Sequence, residues 1–152
     1  MKPDPAAVRS LLEGTEISVS VADESFGVVV DVGPGDLRTV MGSLRAEGYD
    51  MLVDAFAVDT GETVEMRYHL RSLPGDTELY VRVEVGYDGS LPSVWESFPA
   101  ALYPEREAAE LFGLTLEGHP NPKRLLTGES APGWLMRKSF PVREHEEVVR
   151  RG

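Results

Sequence analysis

The residues best suited to chemistry gather in the last third of the chain. Glu105, Arg106 and Glu107 stand together, and His119 follows between Gly118 and Pro120. Two carboxylates and a histidine are the raw material of general acid–base catalysis, which requires that they converge on one substrate atom. Their spacing argues against that. If the run from Pro104 is helical, side chains two apart project to different sides, so Glu105 and Glu107 diverge. The simpler role is electrostatic. Carboxylates in a first helical turn favour the positive end of the helix dipole by roughly 0.3–1 kcal/mol each, and Arg106 can reach Glu110 one turn on. His119, in its Gly-His-Pro turn, suits a structural hydrogen bond to a nearby carbonyl or carboxylate. His69 and His145 lie far away in sequence, and no H-x-x-H or H-x-x-x-H pattern occurs, so no metal site is expected.

Composition narrows the chemistry further. The chain has no cysteine, which excludes disulfides, thiolate-held iron–sulfur clusters, zinc-thiolate sites and cysteine nucleophiles. It has no phosphate-binding P-loop, dinucleotide fingerprint or serine nucleophile elbow. A net charge of -11 opposes nucleic-acid binding, which needs a basic footprint. That charge is unevenly spread. Residues 1–103 hold 7 basic and 18 acidic side chains, whereas residues 104–152 hold 8 of each. No apolar run approaches the ~18–20 residues that span a bilayer, and the start MKPDPAAVRSLLEG lacks a signal-peptide pattern, so a cytosolic or peripheral protein is expected.

The elements that must position these residues are legible upstream. At 152 residues the chain fits one domain. Asp4-Pro5 reads as the N-cap and first residue of a short helix whose Val8, Leu11 and Leu12 share a face before Gly14. Residues 16–21 and 26–32 read as strands joined by a turn at Ala22-Asp23-Glu24-Ser25. Asp36 can cap a helix whose Leu37, Val40, Met41 and Leu44 follow helical spacing, ending at Gly48. Three strands follow, 51–58, 63–71 and 78–85. In the second, Val64, Met66, Tyr68 and Leu70 alternate with Glu65, Arg67, His69 and Arg71. In the third, Leu79, Val81, Val83 and Val85 alternate with Glu78, Tyr80, Arg82 and Glu84. Ser93 and Glu96 have the form of a capping box and suggest a helical turn through Trp95. A last helix is expected from Pro104, with Ala108, Leu111 and Phe112 as its apolar stripe and Gly113 as its left-handed cap. Beyond it the chain is irregular and rich in Pro and Gly. The expected fold is a single α+β domain, an antiparallel or mixed sheet flanked by helices, with a core over 1–103 and a signature helix and docking extension over 104–152.

Arg124, Arg137 and Lys138 lie on that extension. They read either as a solvated basic edge or as a partner-docking set, since weakly self-packing segments are often ordered on a partner and arginine suits carboxylate pairing at interfaces.

The run YPEREAAELFGLTLEGHPNP, Tyr103 to Pro122, with Lys123-Arg124-Leu125-Leu126 and Leu135-Met136-Arg137-Lys138-Ser139-Phe140 after it, resembles the signature of the thirty-kilodalton subunit, or C subunit, of the NADH-quinone oxidoreductase called complex I. The shared parts are the E-R-E triplet, an acidic residue two before Phe112-Gly113, the Gly-His119-Pro120 turn, an R-[IL]-L segment and the terminal Arg137-Lys138. Pro104, Glu110, Leu135-Met136 and Ser139 depart from the family's usual residues. The resemblance implies a structural subunit of the peripheral arm, on the cytoplasmic side of the cell membrane, touching the membrane only through its complex. It implies docking to the large quinone-site subunit, of the forty-nine-kilodalton type, and to neighbouring peripheral-arm subunits, through Glu105, Arg106, Glu107, Phe112, Gly113, His119, Pro120, Arg124, Arg137 and Lys138. It implies no cofactor on this chain, with flavin, iron–sulfur clusters and quinone on other subunits. The alternatives are the equivalent subunit of a membrane-bound energy-converting hydrogenase or related quinone reductase, a small hydrolase using Glu105 or Glu107 with His119, and a self-contained acidic binding module.

Overall fold

The computed structural model describes residues 1–13 and 17–141. Gly14, Glu16 and His145, on which sequence expectations bore, lie outside them.

Helix α1 (Pro5–Leu12) starts as its sequence dictates, with the Asp4 carboxylate accepting from the Ala6 amide at 3.0 Å. Val8 and Leu12 enter the core, but Leu11 stays exposed, because so short a helix lays down one i,i+4 ridge. Strand β1 (Val19–Glu24) and strand β2 (Gly27–Val32) form an antiparallel hairpin that turns at Ser25-Phe26, three residues later than expected. The polar Ala22-Asp23-Glu24 run is strand. Glu24 faces along the open side of the sheet, where Arg82 donates to it at 2.9 Å.

Pro34–Asp36 is a 3-10 turn leading directly into helix α2 (Leu37–Ala46). Asp36 is therefore itself helical and makes no side-chain cap. The Leu37 amide bonds the Pro34 carbonyl instead, so the backbone supplies what the cap would have supplied. Leu37, Val40, Met41 and Leu44 are fully buried.

Strands β3 (Met51–Asp59), β4 (Thr63–Ser72) and β5 (Thr77–Gly86) form an antiparallel meander. Strand β5 then pairs in parallel with β2, giving one mixed five-stranded sheet in the order β1-β2-β5-β4-β3. Register stacks the core in rows across three strands: Leu70, Leu79 and Val28; Tyr68, Val81 and Val30; Met66, Val83 and Val32. Burying each such side chain contributes roughly 1.5–3 kcal/mol. The opposite face carries the expected polar alternation, with Arg67 on Glu65, Arg82 forked onto Asp31, and His69 on Glu78.

Two three-residue strands that the sequence did not announce, β6 (Ser90–Pro92) and β7 (Thr115–Glu117), pair in parallel. Residues 95–97 make a turn rather than a helix, and the Ser93 hydroxyl accepts from the Trp95 amide at 3.4 Å while donating to Glu105. A second 3-10 turn, Pro99–Ala101, brings in helix α3 (Leu102–Phe112). The helix thus begins two residues before Pro104, whose missing N–H falls where helical amides have no intrahelical partner anyway. It lies against β3, where Ala55 and Ala57 stand at inward positions and allow close approach.

Candidate functional site

Helix α3 carries the signature residues, and its two ends do different jobs. At the N-terminal end Glu105 is wholly enclosed. Its carboxylate accepts from the Tyr68 hydroxyl at 3.0 Å, from the Val94 amide at 2.9 Å and from the Ser93 hydroxyl. Burial pushes its carboxyl above the ordinary value despite those donors, and burial with the adjacent carboxylate pushes the Tyr68 phenol well above its own. One side chain therefore ties α3 to the sheet and to the segment after β6.

His119 fastens the same end. The Asn121 amide can only donate, so Nδ1 accepts that bond at 3.0 Å and Nε2 carries the proton toward the Leu102 carbonyl at 2.9 Å. The turn around it depends on Gly118, with φ +71° and a Cβ position only 2.5 Å from the Arg38 guanidinium. Arg38 in turn bonds the Glu117 and Ser93 carbonyls, while Trp95 donates its indole N–H to Gly118. Pro120 is exposed beside it.

From here to residue 141 the chain forms an irregular extension, held by side chains that bond its peptide groups or the peptide groups it covers. Arg106 does not pair with Glu110. Its guanidinium donates to the carbonyls of Lys123 and Arg124 at 2.7 and 2.8 Å. Glu110 instead receives the amides of Leu125, Leu126 and Thr127 at 2.6, 2.9 and 2.5 Å, with the Thr127 hydroxyl as a fourth donor. Burial acts to raise this carboxyl, but the Thr127 hydroxyl and the three amides outweigh it and hold the group at about 2. Arg124 closes the next loop through Thr127, Gly128 and Ala131.

The extension then crosses the C-terminal end of α3 and takes its free carbonyls. The Trp134 amide bonds the Glu110 carbonyl at 3.2 Å and the Met136 amide that of Leu111 at 2.9 Å. Arg137 bonds Phe112 at 2.6 Å and Gly113 at 3.2 Å, reaches the Tyr87 carbonyl at 2.7 Å, and lies over the Tyr87 ring at 4.3 Å. A cation there also complements the negative end of the helix dipole. Gly113 is required twice over: φ is +70°, and a Cβ would stand 2.9 Å from Arg137 and 3.2 Å from Trp134. Phe112 is buried beneath the crossing. Last, the Lys138 amide donates to Asp59 at the end of β3, as do the Gly61 amide and the Tyr87 hydroxyl. Burial acts to raise the Asp59 carboxyl, and these donors bring it below its ordinary value. The Lys138 side chain is left exposed.

The structure thus brings together Arg106, Glu110, Phe112, Gly113, Arg124 and Arg137 as one frame, and Glu105 with His119 as another. Glu107 joins neither and is exposed. Glu105 has no open face, and both ring nitrogens of His119 are committed to backbone groups, so the three do not assemble as an acid–base site. Sequence reasoning missed Asp59, Tyr87, Arg38 and Ser93. Ser93 reads only as a helix cap, and Asp59 lies one residue past the expected strand 51–58, so neither is marked as a clamp. Held out by the frame are Tyr103, Leu126, Trp134 and Met136, all more than 45% exposed. Trp134, Lys123 and Arg124 line one cleft of about 270 Å³. Among the described residues no group of three or more His, Cys, Asp or Glu is placed to hold a metal ion, and no helix is long and apolar enough to cross a membrane.

Comparison with known proteins agrees with this arrangement. Residues 30–146 match the family described as respiratory-chain NADH dehydrogenase, 30 Kd subunit. The NADH-quinone oxidoreductase C subunit of Ruegeria pomeroyi is 34% identical over 133 residues, covering 83% of this chain and 66% of that protein. The chain spans between about half and two thirds of the length of such relatives. Among solved structures, a trypsin-resistant fragment of Nqo5 superposes with a TM-score of 0.63 at 28% identity, over 76% of this chain and 94% of that one. A chain of an archaeal respiratory membrane complex, the membrane-bound sulfane sulfur reductase, shares the fold with a TM-score of 0.77 at 20% identity, over 97% and 91% of the two chains. The chain therefore belongs to the 30 Kd subunit family of the respiratory-chain NADH dehydrogenase, the family of the NADH-quinone oxidoreductase C subunits.

Proposed function

We propose that this chain is a structural subunit of the peripheral arm of an NADH-quinone oxidoreductase and docks the large quinone-site subunit, of the forty-nine-kilodalton type, through its C-terminal extension. The observation that carries this reading is the extension itself. Its course is fixed by bonds to peptide groups, and it holds Leu126, Trp134 and Met136 out beside Lys123 and Arg124, with Tyr103 exposed on α3. Exposed aromatic, methionine and arginine side chains on a hydrogen-bonded frame are the composition of a protein interface. In this reading Glu105, Arg106, Glu107, Phe112, Gly113, His119, Pro120, Arg124, Arg137 and Lys138 shape or line the docking surface. With no cysteine to hold a cluster, the flavin, iron–sulfur and quinone chemistry belongs to neighbouring subunits. The chain would sit peripherally on the cytoplasmic face, meeting the membrane only through its complex.

The test is to tag the chain in its native host, isolate it from gently solubilised membranes and identify what accompanies it. Recovery of the large quinone-site subunit is expected; a chain that comes alone, or turns over a substrate by itself, would overturn the proposal. The shared fold of the sulfane sulfur reductase chain supports a second reading, the equivalent subunit of a related membrane complex. A large subunit of hydrogenase or sulfur-reductase type in the same isolation would decide for it.

A further inference from the structure

Of the E-R-E triplet, Glu105 is locked into the core and Arg106 onto the extension. Glu107 has neither task. It is exposed, and among the described residues its carboxylate has no ion-pair or hydrogen-bond partner. It lines a groove of about 170 Å³ between α3 and β3, whose apolar walls include Ala57, Pro104, Ala108, Leu111 and Met136. Strand β3 is the end strand of the sheet. Along it Met51, Val53, Phe56 and Val58 are each at least 37% exposed; it carries no Lys, Arg or Pro, and the devices that blunt an edge, a register irregularity between Leu52 and Asp54 and the Asp54 carboxylate on the Ala55 amide, stop short of residues 56–58.

We infer that this groove seats an extended segment of a partner protein that lies along β3, places an apolar side chain between Ala57 and Leu111, and sets an arginine or lysine on Glu107. Three features specify that occupant together. A sheet edge pairs with extended chain, alternate side chains of an added strand reach one side, and a lone carboxylate beside an apolar slot selects a cation two residues from an apolar anchor. The surplus of acidic over basic residues in 1–103 favours the same sign of partner. This inference deepens the docking reading and rests on it, adding a second contact that meets the extension's crest only at Met136.

The probe is a five-residue capped peptide, threonine-valine-threonine-arginine-threonine, whose valine and arginine stand two apart and share one side, and its counterpart with glutamate in place of arginine, titrated into the isotope-labelled full chain. The arginine peptide should shift amide signals of residues 55–58 and 105–108, Glu107→Lys should weaken it about tenfold, and the glutamate peptide should shift neither set. Equal binding by both peptides, or shifts confined to the polar face of the sheet, would overturn the inference. Glu107 is exposed, so an unchanged melting temperature for the variant confirms that folding is intact. Membrane isolation separates the two readings. If wild type and Glu107→Lys recover the large subunit equally, the groove is not a contact, Glu107 leaves the docking set, and docking through the extension stands. If wild type recovers no partner, the docking reading fails. Concentration-dependent dimerisation abolished by Glu107→Lys would name a second copy as occupant and also overturn the inference.

Discussion

The sheet and the extension are held by opposite means. In the sheet, rows such as Leu70, Leu79 and Val28 are fully buried and apolar, and their energy is nonspecific burial distributed over many contacts. In the extension hardly a side chain is buried, and its course is set by a few charged groups that grip peptide bonds. Helix α3 shows the contrast within five residues. Glu105 sits among two hydroxyls and one amide and is raised by burial; Glu110 takes three amides and a hydroxyl and is lowered to about 2. With three donors against four, the two carboxylates differ chiefly in desolvation, which outweighs the donors at the deeply set Glu105 and is outweighed by them at Glu110.

The sharpest way to break the contrast is to strike each region at its own support. Leu79→Ala should cost about 3 kcal/mol of global stability, seen as a lower melting temperature with a single transition. Glu110→Ala should cost about 2 kcal/mol, felt locally: amide exchange at 125–127 accelerates and Trp134 fluorescence changes, while the sheet's melting moves little. Arg137→Lys keeps the charge and loses the fork, and should weaken the crossing over α3 by about 1 kcal/mol, read by exchange at the Met136 amide.

A pH series sharpens the comparison of the two carboxylates. The stabilising effect of Glu110 is present above the ordinary carboxylate value of 4.5 and is lost as pH falls toward about 2. That of Glu105 has the reverse sign, being full below 4.5 and lost as pH rises through its raised value. Replacing Glu110 with Gln should therefore flatten the acid limb of the extension's exchange profile, and replacing Glu105 with Gln should flatten the limb above 4.5. The smallest effect is expected at Leu126→Ser, within about 0.5 kcal/mol on stability, since that side chain is mostly exposed.

These differences also explain what was legible in advance. Alternation in Val64, Met66, Tyr68 and Leu70 announces a strand because burial acts on side-chain type, and Gly113 announces a helix end because few other residues adopt its backbone. The signature run pointed to the family that residues 30–146 match. The clamps were not legible. Any residue offers Glu110 an amide, so nothing at Leu125 or Leu126 marks the partner, and the i+4 pairing of Arg106 with Glu110 looked sufficient. Asp59 and Lys138 meet across 79 residues through an amide that carries no side-chain signal. Strands β6 and β7 are too short to show a period.

The preference of Arg106, Glu110, Arg137 and Asp59 for peptide groups has a consequence for how this surface can change. A clamp that ignores the identity of what it holds leaves Leu126, Glu129, Ser130 and Met136 open to rewriting without redrawing the path. The extension is then a mount with interchangeable fittings. A library randomised at those four positions should retain its fold while altering what it grips, so one frame can be readdressed to a new neighbour by a handful of surface codons.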